Sequence, residues 1–320
     1  MFDIFQNTTR PKKDLFFIKD DKYDVRLGEV ISFQAENYKA SEVVILGCPQ
    51  DEGVARNKGR IGAALAPSEI RAQFYKLTNF GVSLNIFDLG DTKIQSTLEE
   101  THALHTEIVE QILRDGKQLI VLGGGNDVSY ADGAAIAKVF GKDNWLAFNI
   151  DAHFDVRADF PRNSGTPYRQ LLDDKLLSPK KFFEMAWQPQ SNSKIYHTYL
   201  QNLGVGLINF FELTKGAASS PFFIENHFLE ILNNHTGEAI FWGFDLDAVR
   251  ASDAPGTSAP SPIGLTAEDF ALLCGTAGFC QNTKLIEFTE VNPRFDIDNR
   301  TAKLTAIGIH KFLTSIKKAG

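Results

Sequence analysis

Cysteine is scarce in this chain: Cys48, Cys274 and Cys280 are the three present, and none lies in a Cys-x-x-Cys pattern. That scarcity argues against a cysteine-built zinc or dithiol site and favours a reducing compartment. Surplus positive charge is missing as well. With a net charge of -7 and a pI near 5.6, the chain has no excess of Lys and Arg to neutralise phosphates, which excludes a general nucleic-acid binder. Lysine pairs such as Lys12-Lys13 and Lys180-Lys181 are short and scattered, as on a solvated surface. No run of 18 apolar residues occurs, and the N-terminal residues lack a basic region followed by an apolar stretch. The expectation is a cytoplasmic protein with no membrane partner. Internal repeats, low-complexity tracts and linkers are also lacking.

What is present is an ordinary globular composition, 43% hydrophobic and 23% charged over 320 residues, long enough to bury a large core. Residues 1–40 mix charge and aromatics without a period and read as an N-terminal extension packed on a single main domain, 41–320. Apolar runs predict strands at 42–47, 82–87, 118–122, 145–148, 194–200, 206–210, 239–244 and 284–289. Helical patterns lie between them, starting near Ala66-Pro67-Ser68-Glu69 and covering 101–114, 131–140 and 170–177. Such alternation predicts an α/β fold, a mostly parallel sheet with helices on both faces. Ligands then bind beyond the carboxyl ends of the strands.

Polar clusters stand at those ends. The run at 145–148 leads into Asn149-Ile150-Asp151-Ala152-His153-Phe154-Asp155, the one at 239–244 into Asp245-Leu246-Asp247, the one at 284–289 into Glu290, and the one at 118–122 into Gly123-Gly124-Gly125-Asn126-Asp127. In extended chain Asp151, His153 and Asp155 would project the same way onto one cation. Alone, an Asp-x-His-x-Asp run serves equally well to cap a helix or close a turn. The second acidic pair shifts the balance. Four carboxylates gathered at one rim repel one another unless cations are present, and two divalent ions would balance them. The donor types suit Mn2+, Zn2+ or Ni2+. A metal pair can acidify a bridging water for attack on a polarised carbon, whereas a glycosidase needs two carboxylates rather than four with a histidine. The loop 48–62, with Arg56, Lys58 and Arg60, fits neither a Walker loop nor a dinucleotide fingerprint, leaving an anionic substrate group or plain solvation as its role.

The residues 149–155, Asp245 with Asp247, the loop Pro255-Gly256-Thr257-Ser258-Ala259-Pro260 and Glu290-Val291-Asn292-Pro293 together resemble the arginase/agmatinase/formimidoylglutamase family of ureohydrolases. Asp51-Glu52-Gly53-Val54, Asn57-Lys58-Gly59-Arg60, His153-Phe154-Asp155-Val156-Arg157 and Ser164-Gly165-Thr166-Pro167-Tyr168 resemble formimidoylglutamase more than arginase. The resemblance implies a three-layer α/β/α sandwich assembled as a trimer or hexamer. It implies two Mn2+ per chain, bridged by Asp151 and Asp245, with Asp155 completing one site and His153 with Asp247 the other. Asp155 would also serve catalysis, and Glu290 would accept hydrogen bonds from a small amidine or guanidine substrate. The implied reaction is hydrolysis of N-formimino-L-glutamate to L-glutamate and formamide. Urea release from agmatine, arginine or a guanidino acid, and a non-catalytic homologue, are the alternatives.

One position departs from the family pattern: Asn126 stands where a histidine ligand is expected. An amide oxygen is a poorer donor to Mn2+ than an imidazole nitrogen. Three outcomes follow: Asn126 or Asp127 ligates, one site is empty or weakly filled so that one ion binds, or activity is lost. The arginase-type histidine loop is replaced by residues 163–168, so cations for a carboxylate substrate are sought among Arg60, Arg157 and Arg169. His102 and His105 lie at helical spacing without a third ligand candidate and are assigned no metal.

Overall fold

The strands are buried on both sides, and their side chains sort by period two into two separate cores. The computed structural model describes residues 2–215 and 222–317. Among them lie β1 (Thr8–Thr9), β2 (Val43–Gly47), β3 (Ile86–Thr92), β4 (Gln118–Leu122), β5 (Trp145–Ile150), β6 (Phe182–Trp187), β7 (Gly206–Asn209), β8 (Ala239–Asp245) and β9 (Thr283–Thr289). The longer helices are α1 (Ala66–Phe74), α2 (Leu98–Arg114), α3 (Val128–Phe140), α4 (Pro167–Asp173), α5 (Lys194–Leu203), α6 (Phe222–Asn234), α7 (Ala267–Phe279) and α8 (Arg300–Ser315). Leu146, Phe148, Trp242, Phe244 and Phe288 pack against α1, α6, α7 and α8. Trp145, Ala147, Phe241, Val121 and Leu285 face the other way, against α2, α3, α4 and α5. The result is a three-layer α/β/α sandwich.

The sheet order is β1-β3-β2-β4-β9-β8-β5-β6-β7, with every pairing parallel except that of β1 with β3. Consecutive strands β4 and β5 are therefore separated in space by β9 and β8, which return late in the chain to fill the gap. Those four neighbours carry Asn126, Glu290, Asp245 and Asp151 at or just beyond their carboxyl ends. Topology alone brings the predicted rim together.

Three expectations need correcting. The strand expected at 82–87 is β3, shifted to Ile86–Thr92, because the acids of 88–91 are held within the sheet: buried Arg71 on α1 bonds Asp88 at 2.8 Å and Asp91 at 2.6 Å. The segment 194–200 is helix α5. Ser193 caps its start by accepting from the Ile195 amide, and Gly204 ends it at φ 79°, in the left-handed region that favours glycine. The strand missed was β6, an apolar run between Pro179 and Pro189. Within residues 1–40, Thr8–Thr9 also joins the sheet edge.

Candidate active site

Strands β5 and β8 end in matching turns. Asp151 Oδ1 accepts from the His153 amide at 2.7 Å, and Asp245 Oδ1 accepts from the Asp247 amide at 2.9 Å. Each aspartate thus folds the chain back over itself two residues on. The chain beyond Asp151 is bent rather than extended, so the expectation that 151, 153 and 155 project alike onto one cation is corrected. Asp155 sits at φ 47°, in the left-handed region, and the turn sends it and His153 to different groups. Asp151, His153 and Asp247 form one, while Asp151, Asp155 and Asp245 form the other, with donor atoms inside each within 4.8 Å of one another. Asp151 is common to both, whereas Asp245, expected to bridge alongside it, falls in the second group alone.

The two groups differ electrically. Burial, and then the charge of Asp247, lift Asp151 to about 7; burial and Asp151 lift Asp155 well above the carboxylate range, and burial with Asp247 does the same for Asp245. His153, with Nδ1 3.1 Å from Asp247, is raised to about 12 by that carboxylate. Burial opposes ionisation of Asp247, but the His153 charge together with hydrogen bonds to the carboxylate outweighs it and lowers its pKa. Asp247 Oδ1 is buried without a partner. Clustered acids with elevated pKa values and an orphaned oxygen are what a cation site looks like before its charge is supplied.

Asn126 lies against the second group, its Nδ2 donating to Asp155 Oδ2 at 2.6 Å. Asp127 does not join it: its Oδ2 accepts from Gln50 at 2.6 Å and bonds His102 Nε2 at 2.7 Å, behind the rim. Gly53 packs on that same carboxylate, where any Cβ would come within 1.9 Å of Asp127 Oδ1. His105 is likewise a buried partner, of Asp132 at 3.1 Å and Thr92 at 2.6 Å. Reading the histidines by metal spacing alone missed these pairings, although the acids were visible at Asp127 and Asp132.

Glu290, at φ 61°, accepts from the Asn126 amide through Oε1 at 2.8 Å and leaves Oε2 buried and unpartnered. Burial raises its pKa to about 8. A cavity of about 470 Å³ opens above, and its lining includes the acids Asp155, Asp245, Asp247 and Glu290 with His153, together with the cations Lys58, Arg60 and Arg157. Arg60 bonds the carbonyl oxygens of Ser258, at 3.2 Å, and Thr257, and its guanidinium lies 4.3 Å from the Phe295 ring. Arg169 is absent from the lining, correcting its expected place: it pairs with Asp173 at 2.7 Å and stacks over Tyr199. The sequence did offer that pairing, at helical i, i+4 spacing. Lys58, one of the basic-loop cations offered to an anionic substrate group, belongs to the lining, while Ser191, Asn192, Ser193 and Tyr196 were missed with β6, whose end delivers them.

Comparison with known proteins places this geometry. A family model described as the arginase family matches residues 41–314. The formimidoylglutamase of Staphylococcus haemolyticus (strain JCSC1435) is 30% identical over 272 residues, covering 85% of each chain. That of Rhodococcus jostii (strain RHA1) is 31% identical over 277 residues, again 85% of each. The Trypanosoma cruzi formiminoglutamase, solved with Mn2+, matches at a TM-score of 0.82 and 32% identity, over 91% of this chain and 98% of that one. The Bacillus subtilis formimidoylglutamase, at 23% identity and a TM-score of 0.83 over 93% and 94% of the two chains, shares the fold. A matched family model over most of the chain and two relatives at this identity agree: the chain belongs to the arginase family.

Proposed function

We propose that this protein is a manganese-dependent formimidoylglutamase, hydrolysing N-formimino-L-glutamate to L-glutamate and formamide. The observation that carries this reading is the make-up of the cavity lining, which joins buried acids to Lys58, Arg60 and Arg157. The substrate carries both complements, a cationic amidine and two carboxylates. The formimidoylglutamases among the relatives support the same substrate.

Asp151, Asp155 and Asp245 with Asn126, and Asp151 with His153 and Asp247, are the residues that would hold two Mn2+. When bound, that pair supplies Lewis acidity and an acidified water. Glu290 Oε2, buried, unpartnered and on the cavity, accepts an amidine N–H and fixes the carbon in place. Asp155, its pKa raised by burial and by the charge of Asp151, takes a proton from the attacking water at its carboxylate and returns it to the departing glutamate nitrogen. Lys58 and Arg157 line the cavity with no side-chain hydrogen bond or ion pair among the described residues, so they take the substrate carboxylates, while Arg60 braces the loop at Thr257 and Ser258. Homo-oligomeric assembly belongs to the same reading, to be checked by light scattering.

The test is product identification after incubation with Mn2+ and each substrate. Formamide and glutamate from N-formimino-L-glutamate are expected; urea from arginine or agmatine, with no formamide, would replace this reading by the guanidine one.

A further inference from the structure

The amide of Asn126 is held from behind by two hydroxyls. Ser129 Oγ and Thr289 Oγ1 each lie 2.9 Å from its Oδ1, which turns the amide nitrogen toward Asp155 and, at 3.4 Å, Asp151. A nitrogen carrying two hydrogens cannot ligate a cation; only the oxygen can. Each hydroxyl also has a second acceptor. Ser129 Oγ is 2.7 Å from Glu287 Oε2, and Thr289 Oγ1 is 3.5 Å from the Phe244 carbonyl oxygen. Since Ser129 has one hydrogen, it cannot donate to both Asn126 and Glu287.

Turning the amide over resolves that conflict. Ser129 then donates to Glu287, Thr289 donates to Phe244, and both hydroxyls accept from the amide nitrogen. The oxygen faces Asp155, an arrangement that repels unless a cation lies between them.

We propose that Ser129 and Thr289 form an ambidextrous cradle that lets Asn126 turn its amide oxygen onto the metal, so that filling this site and flipping the amide are one event. The proposal rests on Asn126 being a ligand. Glu287 and the Phe244 carbonyl serve it as acceptors for the released hydroxyl hydrogens. All these side chains are buried, Ser129, Glu287 and Thr289 completely, so water cannot substitute for a missing partner. An orphaned buried N–H is less tolerable than an under-satisfied carbonyl oxygen. Removing the hydroxyls therefore disfavours the metal-facing orientation, in which the nitrogen points at the cradle.

The experiment is calorimetric titration of Mn2+ into metal-free protein, resolving two binding events. With Asn126 in place, Ser129→Ala/Thr289→Val weakens the event involving Asp155 at least tenfold, and Thr289→Val alone does so severalfold. The event involving His153 and Asp247 stays within twofold, which also reports that each variant is folded. In an Asn126→Asp background, where either end of the side chain is oxygen, the same pair of substitutions changes affinity less than twofold. Equal losses in both backgrounds would reduce the hydroxyls to packing and overturn the proposal, as would no loss in either. Asn126→Ala separates the two levels. If it leaves the Asp155 event unchanged, Asn126 is no ligand and the underlying reading fails. If it weakens that event while the hydroxyl variants do not, the ligand stands and only the cradle falls.

Discussion

The two halves of the metal rim share Asp151 and little else. On one side, His153 sits 3.1 Å from Asp247, and imidazolium and carboxylate hold each other charged without help from outside the chain. On the other, Asp155 faces the uncharged amide of Asn126 and Asp245 faces further acids, and their pKa values rise instead. The first half is built to stand while empty, and the second is built to wait. Where an enzyme needs two cations in one cavity, making one half self-compensating lowers the repulsion that the folded chain must bear before metal arrives.

Breaking what the halves share has the largest effect. Asp151→Asn removes a charged donor from both groups, so both manganese ions are lost and kcat/KM falls by roughly 10³-fold or more; elemental analysis and steady-state kinetics check this. A chemical lesion that spares both halves is Glu290→Gln, which removes the charge from the amidine contact. A fall of roughly 10²-fold in kcat/KM, with two ions still bound, is expected from the loss of a charge-assisted hydrogen bond of about 1.5–3 kcal/mol. The comparison is sharpened by Asn126→His, which gives the waiting half an imidazole of its own. Its Mn2+ affinity should rise roughly 10- to 100-fold while the other half is unmoved, by calorimetric titration. Among the cations, Lys58→Ala should raise KM about tenfold, whereas Arg169→Ala, already committed to Asp173 and Tyr199, should leave KM within about twofold.

The same contrast runs through what the sequence could disclose. Asp151, His153, Asp155, Asp245, Asp247 and Glu290 were legible because charged residues ending apolar strands have few structural uses, and parallel sheets gather strand ends on one side. The partition into two groups was not, since it depends on a turn and on a left-handed Asp155 that no residue spacing encodes. Ser129 and Thr289 were illegible for a different reason: a hydroxyl in a helix or strand is commonplace, and its importance lies in what it faces across about 160 residues of chain. The pairing of His102 with Asp127 is hidden in the same way. At 194–203 the local apolar pattern fitted a strand, but the Ser193 cap and Gly204 termination decided for helix.

The smallest expected effect is on stability, and it sets the halves against each other in one measurement. Asp151 titrates near 7 in the folded protein, against 3.8 for an ordinary aspartate, and Asp155 and Asp245 are raised as well. The metal-free fold therefore binds more protons than the unfolded chain between about pH 4 and 7, and it loses stability as pH rises through that window. His153 has the same sign in a later window: its contribution is full below about 6.5 and is lost as pH rises towards about 12. From pH 5 to pH 7 the carboxylates of the waiting half dominate, and the metal-free protein should melt a few degrees lower at pH 7 than at pH 5. Saturating Mn2+ replaces those protons and should abolish or reverse the trend. A metal-free melting temperature that rises across that interval would mean that the acids of the second half are already neutralised within the chain, and the contrast between the halves would collapse.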